Sequence, residues 1–199
     1  MAVAGKPDDD ALIAGFFDRS LAALQDATQD RGLLRLIAAI AQAIEGSLRA
    51  GGKLLIAGNG GSAADAQHLA AEFLSRYVVD RGPLPAVALT TDTSVLTAVG
   101  NDYGFEHVFE RQVRGLGRPG DAFLAISTSG RSRNILRALE TARDMGLVTI
   151  GFSGAAETEM RPLCRHFLAV ASHETAIVQQ IHMVAGHAIC ALVERAMLQ

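Results

Sequence analysis

The chain has 199 residues, is 49% hydrophobic and 20% charged, and carries a formal net charge of −3. This composition excludes a disordered chain, and the length suits one α/β domain with an added helical segment. No Lys/Arg cluster offers nucleic acid an electrostatic footprint. Any anion must therefore be held locally, by backbone N–H groups, hydroxyls and a few cations.

Residues 8–50 predict two helices. The runs DALIAGFFDRSLAALQDA and GLLRLIAAIAQAIEGSLRA place apolar residues at helical spacing, and Gly51-Gly52 stops the second. The second helix is apolar around much of its girth, which predicts burial in a helical bundle shared between subunits. The N-terminus lacks a signal-peptide pattern. The run LLRLIAAIAQAI, broken by Arg35 and Gln42, is too short to span a bilayer, so a soluble cytoplasmic protein with no membrane partner is expected. The first few residues are the only candidates for disorder.

After Gly52 the rhythm becomes that of strands alternating with helices. KLLIAG is a predicted strand, followed by a helix over about 62–76. PAVALTT is the second strand, with helical SVLTAVGN and GFEHVFERQVRGL after it. DAFLAIS is the third, followed by helix SRNILRALETARDMG. LVTIGFS and HFLAVA are the fourth and fifth, and a last helix covers about 175–197. Strands that are apolar throughout, alternating with helices, predict a parallel sheet covered on both faces, with ligands at the carboxyl ends of its strands. Cys164 and Cys190 make no disulfide framework and read as buried free thiols in a reducing compartment.

Two of the strands end in unusual turns. The first runs into Gly58-Asn59-Gly60-Gly61-Ser62, the third into Ser127-Thr128-Ser129-Gly130-Arg131-Ser132. Each turn presents N–H groups at a helix N-terminus, where the dipole favours an anion. A tight turn with Ser62 as N-cap would account for the glycines alone. Gly58, Gly60 and Ala63, with Asp92 near the end of the next strand, also fit the dinucleotide fingerprint. Four hydroxyls in six residues exceed what capping needs, and they suit a phosphate monoester held without lysine. A dinucleotide fold has no use for that second loop.

His68 and Glu72 stand at i and i+4 on one helix face. On the last helix Gln179 and His187 lie about 80° apart around the axis and can border one cleft, whereas His182 and His187 are about 140° apart. His182 therefore reads as a hydrogen-bonded core group. Two imidazoles, a carboxylate and an amide oxygen can coordinate a divalent metal, zinc first among them, and a Glu and a His beside a sugar phosphate can move protons.

The segments GNGGSAADAQHLAAEFLSRY, LTTDTSVLTAVGNDYGFEHVF, ISTSGRSRNIL and VQQIHMVAGH resemble the phosphoheptose isomerases, the sedoheptulose-7-phosphate isomerases of the sugar isomerase (SIS) domain superfamily. The resemblance runs from Gly52 nearly to the end, with the motifs in family order. It implies a three-layer α/β/α sandwich around a five-stranded parallel sheet (residues 51–199, the SIS domain), with an N-terminal helical segment (1–50) building a homotetramer. It also implies conversion of D-sedoheptulose 7-phosphate to D-glycero-D-manno-heptose 7-phosphate, towards bacterial surface heptose. By matching position it places one Zn2+ per subunit on His68, Glu72, Gln179 and His187. Substrate contacts fall on Asn59, Gly60, Gly61, Ser62, Glu72, Asn101, Asp102, Ser127, Thr128, Ser129, Ser132 and Gln179. Glu72 is expected as general base and His187 as its acid/base partner, with Asp65 tuning the site from one turn before His68. Gln180 and Ala176 depart from the pattern, and His173 and Glu174 lie just before them. Two other readings stand beside the enzyme. One is a related tetrameric protein that binds the bacterial replication initiator without catalysis, which lacks the acid and imidazole present here as Glu72 and His187. The other is an isomerase for another sugar phosphate.

Overall fold

The computed structural model describes residues 8–154 and 157–198; the first few residues, expected to be disordered, lie outside them. Two helices, α1 (Asp9–Gln29) and α2 (Arg31–Arg49), precede β1 (Leu54–Gly58) and α3 (Gly61–Leu74). Then come β2 (Ala86–Ala88), α4 (Thr93–Asp102), a 3-10 turn at Phe105–His107, α5 (Val108–Leu116), β3 (Ala122–Ser127) and α6 (Arg133–Asp144). The chain closes with β4 (Val148–Ser153), a second 3-10 turn at Arg161–Leu163, β5 (His166–Ala169) and α7 (Thr175–Met197).

The five strands form one parallel sheet in the order β2-β1-β3-β4-β5. Every residue of β1 and β3 is buried, because side chains alternate between two covered faces. Leu54, Ile56, Leu124 and Ile126 pack beneath α2, α3 and α7, and Leu55, Ala57, Phe123 and Ala125 pack beneath α5 and α6. The result is the expected α/β/α sandwich. The order changes direction beside β1 and β3, so their carboxyl ends flank the crevice where such sheets take ligands.

Two expectations about the helices need correction. The second helix is amphipathic: Ile37, Ile40, Ala41, Ile44 and Leu48 are buried while Leu34 stays exposed. It is α1 that carries unburied apolar side chains, Leu12, Ile13, Phe17 and Leu21, with only Ser20 buried. Among the described residues, α7, not the run in α2, is the one helix long and apolar enough to cross a membrane by length and composition. Half of that apolar window is buried, against α1, α2 and α3, which is the packing of a core helix. Both cysteines are free, and burial pushes each thiol up to about 12.

Candidate active site

The turns after β1 and β3 lie side by side because their strands are hydrogen-bonded neighbours in register, Gly58 opposite Ile126. Gly60 adopts a φ of 56° as it opens α3, a conformation that other residues rarely take. Gly61 brings α3 close to α7: a β-carbon there would meet the Gln179 amide, which would have to swing aside. The N-terminus of α3 has no side-chain cap, and neither does that of α6. Ser62 is thus no N-cap; it sits buried in the first turn. Both helices leave first-turn amides directed at the crevice.

The hydroxyl loop is folded on itself. Ser127 Oγ lies 3.1 Å from Ser132 Oγ and 3.5 Å from Ser129 Oγ, and the Arg131 N–H donates to Ser129 Oγ. The Gly154 N–H donates to the Thr128 carbonyl, which fastens the loop to the end of β4. Beside it opens a cavity of about 290 Å³, lined by Thr128, Ser129, Arg131, Gly154, His173 and Thr175 among others. A reciprocal amide pair joins the two loops: Asn59 Nδ2 donates to Asn134 Oδ1 at 3.0 Å, and Asn134 Nδ2 returns the bond at 2.9 Å. The Asn59 side chain is therefore engaged, leaving its main chain to face the crevice.

The second cluster lies on α3 and α7, which run parallel because both start at the carboxyl edge of the sheet. Gly61 meets Gln179, Leu69 meets Gly186, and His68 meets His187. The two imidazole Nε2 atoms are 3.1 Å apart, and His68 Nε2 is 3.3 Å from Glu72 Oε1. One ligand atom from each of His68, Glu72 and His187 falls within 4.8 Å of the others. Tetrahedral zinc with ligands at about 2.0–2.1 Å separates donor atoms by roughly 3.3 Å, so this donor set fits the ion in both chemistry and spacing. Tyr77 packs its ring 5.8 Å from that of His187. Burial pushes the Asp65 carboxyl above its usual range while His68 draws it back, and its Oδ2 is buried without a partner.

The other sequence-singled residues fall elsewhere. Gln179 stands eight residues before His187, about 12 Å along the helix, and its amide lies against Gly61 at the cradle end. Asn101 and Asp102 end α4 exposed, and Asn101 Nδ2 donates to Asp102 Oδ1. Among the described residues neither bonds to the two loops. Asp92 accepts the Val95 N–H as the N-cap of α4, a local task that removes the support it lent the dinucleotide reading. Gln180 borders a hollow on α1 with Phe16 and Leu21, and Glu174 pairs with Arg19 of α1. His182 is the core group expected: its Nε2 bonds to the Ser153 carbonyl at 3.2 Å, and burial brings its pKa down to about 4. Sequence reasoning missed Asn134 and Tyr77. For Asn134 the available signal was an amide one residue into the helix that follows the hydroxyl loop.

The model of the SIS domain matches residues 16–154. A phosphoheptose isomerase of Bradyrhizobium sp. (strain ORS 278) is 56% identical over 190 residues, 96% of each chain. One from Aneurinibacillus thermoaerophilus is 52% identical over 170 residues, 85% of this chain and 86% of its own. The solved phosphoheptose isomerase of Neisseria gonorrhoeae superposes with a TM-score of 0.88 at 40% identity, covering 94% of this chain and all (100%) of its own. That of Francisella tularensis gives 0.90 at 36% identity, over 94% and 99%.

Proposed function

The chain belongs to the SIS domain family and, within it, to the phosphoheptose isomerases, and on that premise we propose how its own residues carry the reaction. It is an aldose–ketose isomerase that converts D-sedoheptulose 7-phosphate to D-glycero-D-manno-heptose 7-phosphate in bacterial heptose biosynthesis. The observation that carries the reading is the placement of two polar clusters along α3, one at its start and one further down its length. Hydroxyls and helix-start amides lie at one end, and the His68, Glu72 and His187 side chains lie at the other. Seven residues of α3 separate Gly61 from His68, about 10 Å of helix. An extended phosphorylated seven-carbon chain has a comparable length.

The phosphate takes the amides of both loops with Ser127, Thr128, Ser129 and Ser132, and the Gln179 amide orients the sugar chain beside Gly61. Glu72 removes a proton from C1, and a proton is delivered to the C2 oxygen, which gives the enediol. A proton then returns to C2 as the C1 oxygen loses its own, with His187 as the partner acid/base. C1 is oxidised and C2 reduced within one molecule, so no nicotinamide is needed. Zinc would be held by His68, Glu72 and His187 and would supply Lewis-acid polarisation of the sugar oxygens when bound. Glu72 has two carboxylate oxygens, so one can serve as ligand while the other faces the substrate. The exposed apolar face of α1 supports a homotetramer built through residues 1–50. Asn101 and Asp102 reach a cradle most simply from a neighbouring subunit. A biosynthetic enzyme of this class works in the cytoplasm, without nucleic acid or membrane.

Purified protein incubated with sedoheptulose 7-phosphate should yield the aldose by NMR. A chelator should abolish turnover, and added Zn2+ should restore it. No conversion under any metal condition would overturn the reading in favour of a non-catalytic SIS protein or another sugar phosphate.

A further inference from the structure

The segment after α3 is fastened to α7 by one buried ion pair that the chemistry above does not use. Glu194 Oε1 accepts the Tyr77 N–H at 2.9 Å, and Oε2 accepts those of Val78 and Val79 at 2.8 and 3.0 Å. Arg81 Nε donates to the same carboxylate at 3.1 Å. The rest of the guanidinium turns back to α3: Nη2 donates to the Glu72 carbonyl at 2.9 Å and Nη1 to those of Phe73 and Gly82. The side chains of both partners are almost wholly buried, 6% and 4% exposed. Helix α3 thus ends on a guanidinium, which satisfies carbonyls that its last turn leaves open.

We propose that Arg81 and Glu194 form a positioning clamp that sets the register of α3 against α7, and so the separation of Glu72 from His187 on which turnover depends. The inference rests on the isomerase reading and deepens it. Three features of the geometry carry it. Glu194 lies seven residues after His187, two turns further along the same stripe of α7. Arg81 grips the main chain of Glu72 itself, not a remote part of α3. The segment the clamp folds down also delivers Tyr77 onto the His187 ring. One carboxylate therefore fixes both helices and the aromatic that lies against the imidazole. Burial pushes the Glu194 carboxyl up, but the Val79, Tyr77 and Val78 amides and Arg81 together hold it below the usual range.

A purely structural role makes a different prediction, and the protein contains a control for it. Lys53 and Asp121 form a second ion pair with a buried carboxylate, just before β1 and β3, where Asp121 also accepts the Lys53 and Arg118 N–H groups. Arg81→Lys keeps the charge opposite Glu194 but loses the fork that reaches Glu72 and Phe73. Glu194→Gln keeps the shape and loses the charge. Each should lower kcat by about 10- to 100-fold with KM within twofold, and weaken Zn2+, measured by competition with a chromophoric chelator, by about tenfold. Arg81→Lys should be the milder of the two. Asp121→Asn should lower Tm as much while leaving kcat and Zn2+ affinity within twofold. If the clamp variants lose no more kcat or Zn2+ affinity than Asp121→Asn at a matched Tm, the clamp is overturned; so it is if they raise KM alone. A wild-type chain without turnover would instead sink the isomerase reading, and Zn2+ affinity would still decide the clamp.

Discussion

The turns after β1 and β3 hold their polar groups by main-chain geometry, whereas the α3–α7 cluster is assembled from side chains 119 residues apart in sequence. In the first region each group needs only the local path of the chain: a glycine at φ 56°, two uncapped helix starts, and hydroxyls within six residues. In the second, each group needs a helix-to-helix register, and one residue of slip would turn His187 about 100° away from His68. A main-chain cradle tolerates side-chain substitution and fails when its loops shift. A side-chain cluster fails at a single atom. Binding and chemistry should therefore be separable by mutation.

Glu72→Gln should separate them most. The amide keeps the size of the carboxylate but cannot act as the proposed base, so kcat should fall about 10³-fold, on the order of 4 kcal/mol of barrier. Because the cradle lies at the other end of α3, phosphosugar affinity measured by calorimetry should change little. A near-normal rate in this variant would reject Glu72 as base. A lost affinity with it would show the two ends to be one unit.

His182 tests the joint between the regions, since it ties α7 to the carbonyl of Ser153, next to the residue that fastens the hydroxyl loop. Its folded pKa is about 4 against an ordinary 6.5. Between those values the unfolded chain takes up a proton that the folded chain refuses, so stability falls as pH drops from 6.5 to 4, by about 3 kcal/mol in all. Below pH 4 this contribution levels off. Denaturant unfolding across that range should show the slope in the wild type, and His182→Gln should flatten it. An unchanged slope in the variant would locate the acid sensitivity elsewhere.

The same division explains what could be read from sequence. The bounds of α7 follow from helical spacing, and Thr175–Met197 is where the pattern places it. The pattern predicts a seven-residue second strand, PAVALTT, but only Ala86–Ala88 pair, because the chain turns early to reach the Asp92 N-cap. At the site, both loops were legible because their chemistry is contiguous. His68 and Glu72 were legible because they share a helix face. Asn134, Arg81 and Glu194 were not, because their meaning lies in partners 75 and 113 residues away and their residue types are ordinary on a surface. The apolar face of α1 was credited to α2, since periodicity reveals that a face is apolar but not what covers it.

The smallest expected effect bears on the cradle alone. Asn134→Ala removes one half of the amide pair and leaves the Asn59 donor and acceptor facing an apolar methyl group. An orphaned half-buried amide costs about 1 kcal/mol, part of which relaxation recovers as the β1 turn moves away from the β3 turn. That movement displaces the Gly60 and Gly61 amides relative to Ser127 and Ser132, so the phosphate loses simultaneous contact with both. KM should rise about tenfold, while kcat at saturating sugar should stay within about twofold, because His68, Glu72 and His187 stand on α3 and α7 and not on α6. Inorganic phosphate, which needs no seven-carbon reach, should lose affinity by a similar factor as a competitive inhibitor. A fall in kcat at unchanged KM would contradict the comparison directly, since the amide pair touches the main-chain region and nothing in the cluster.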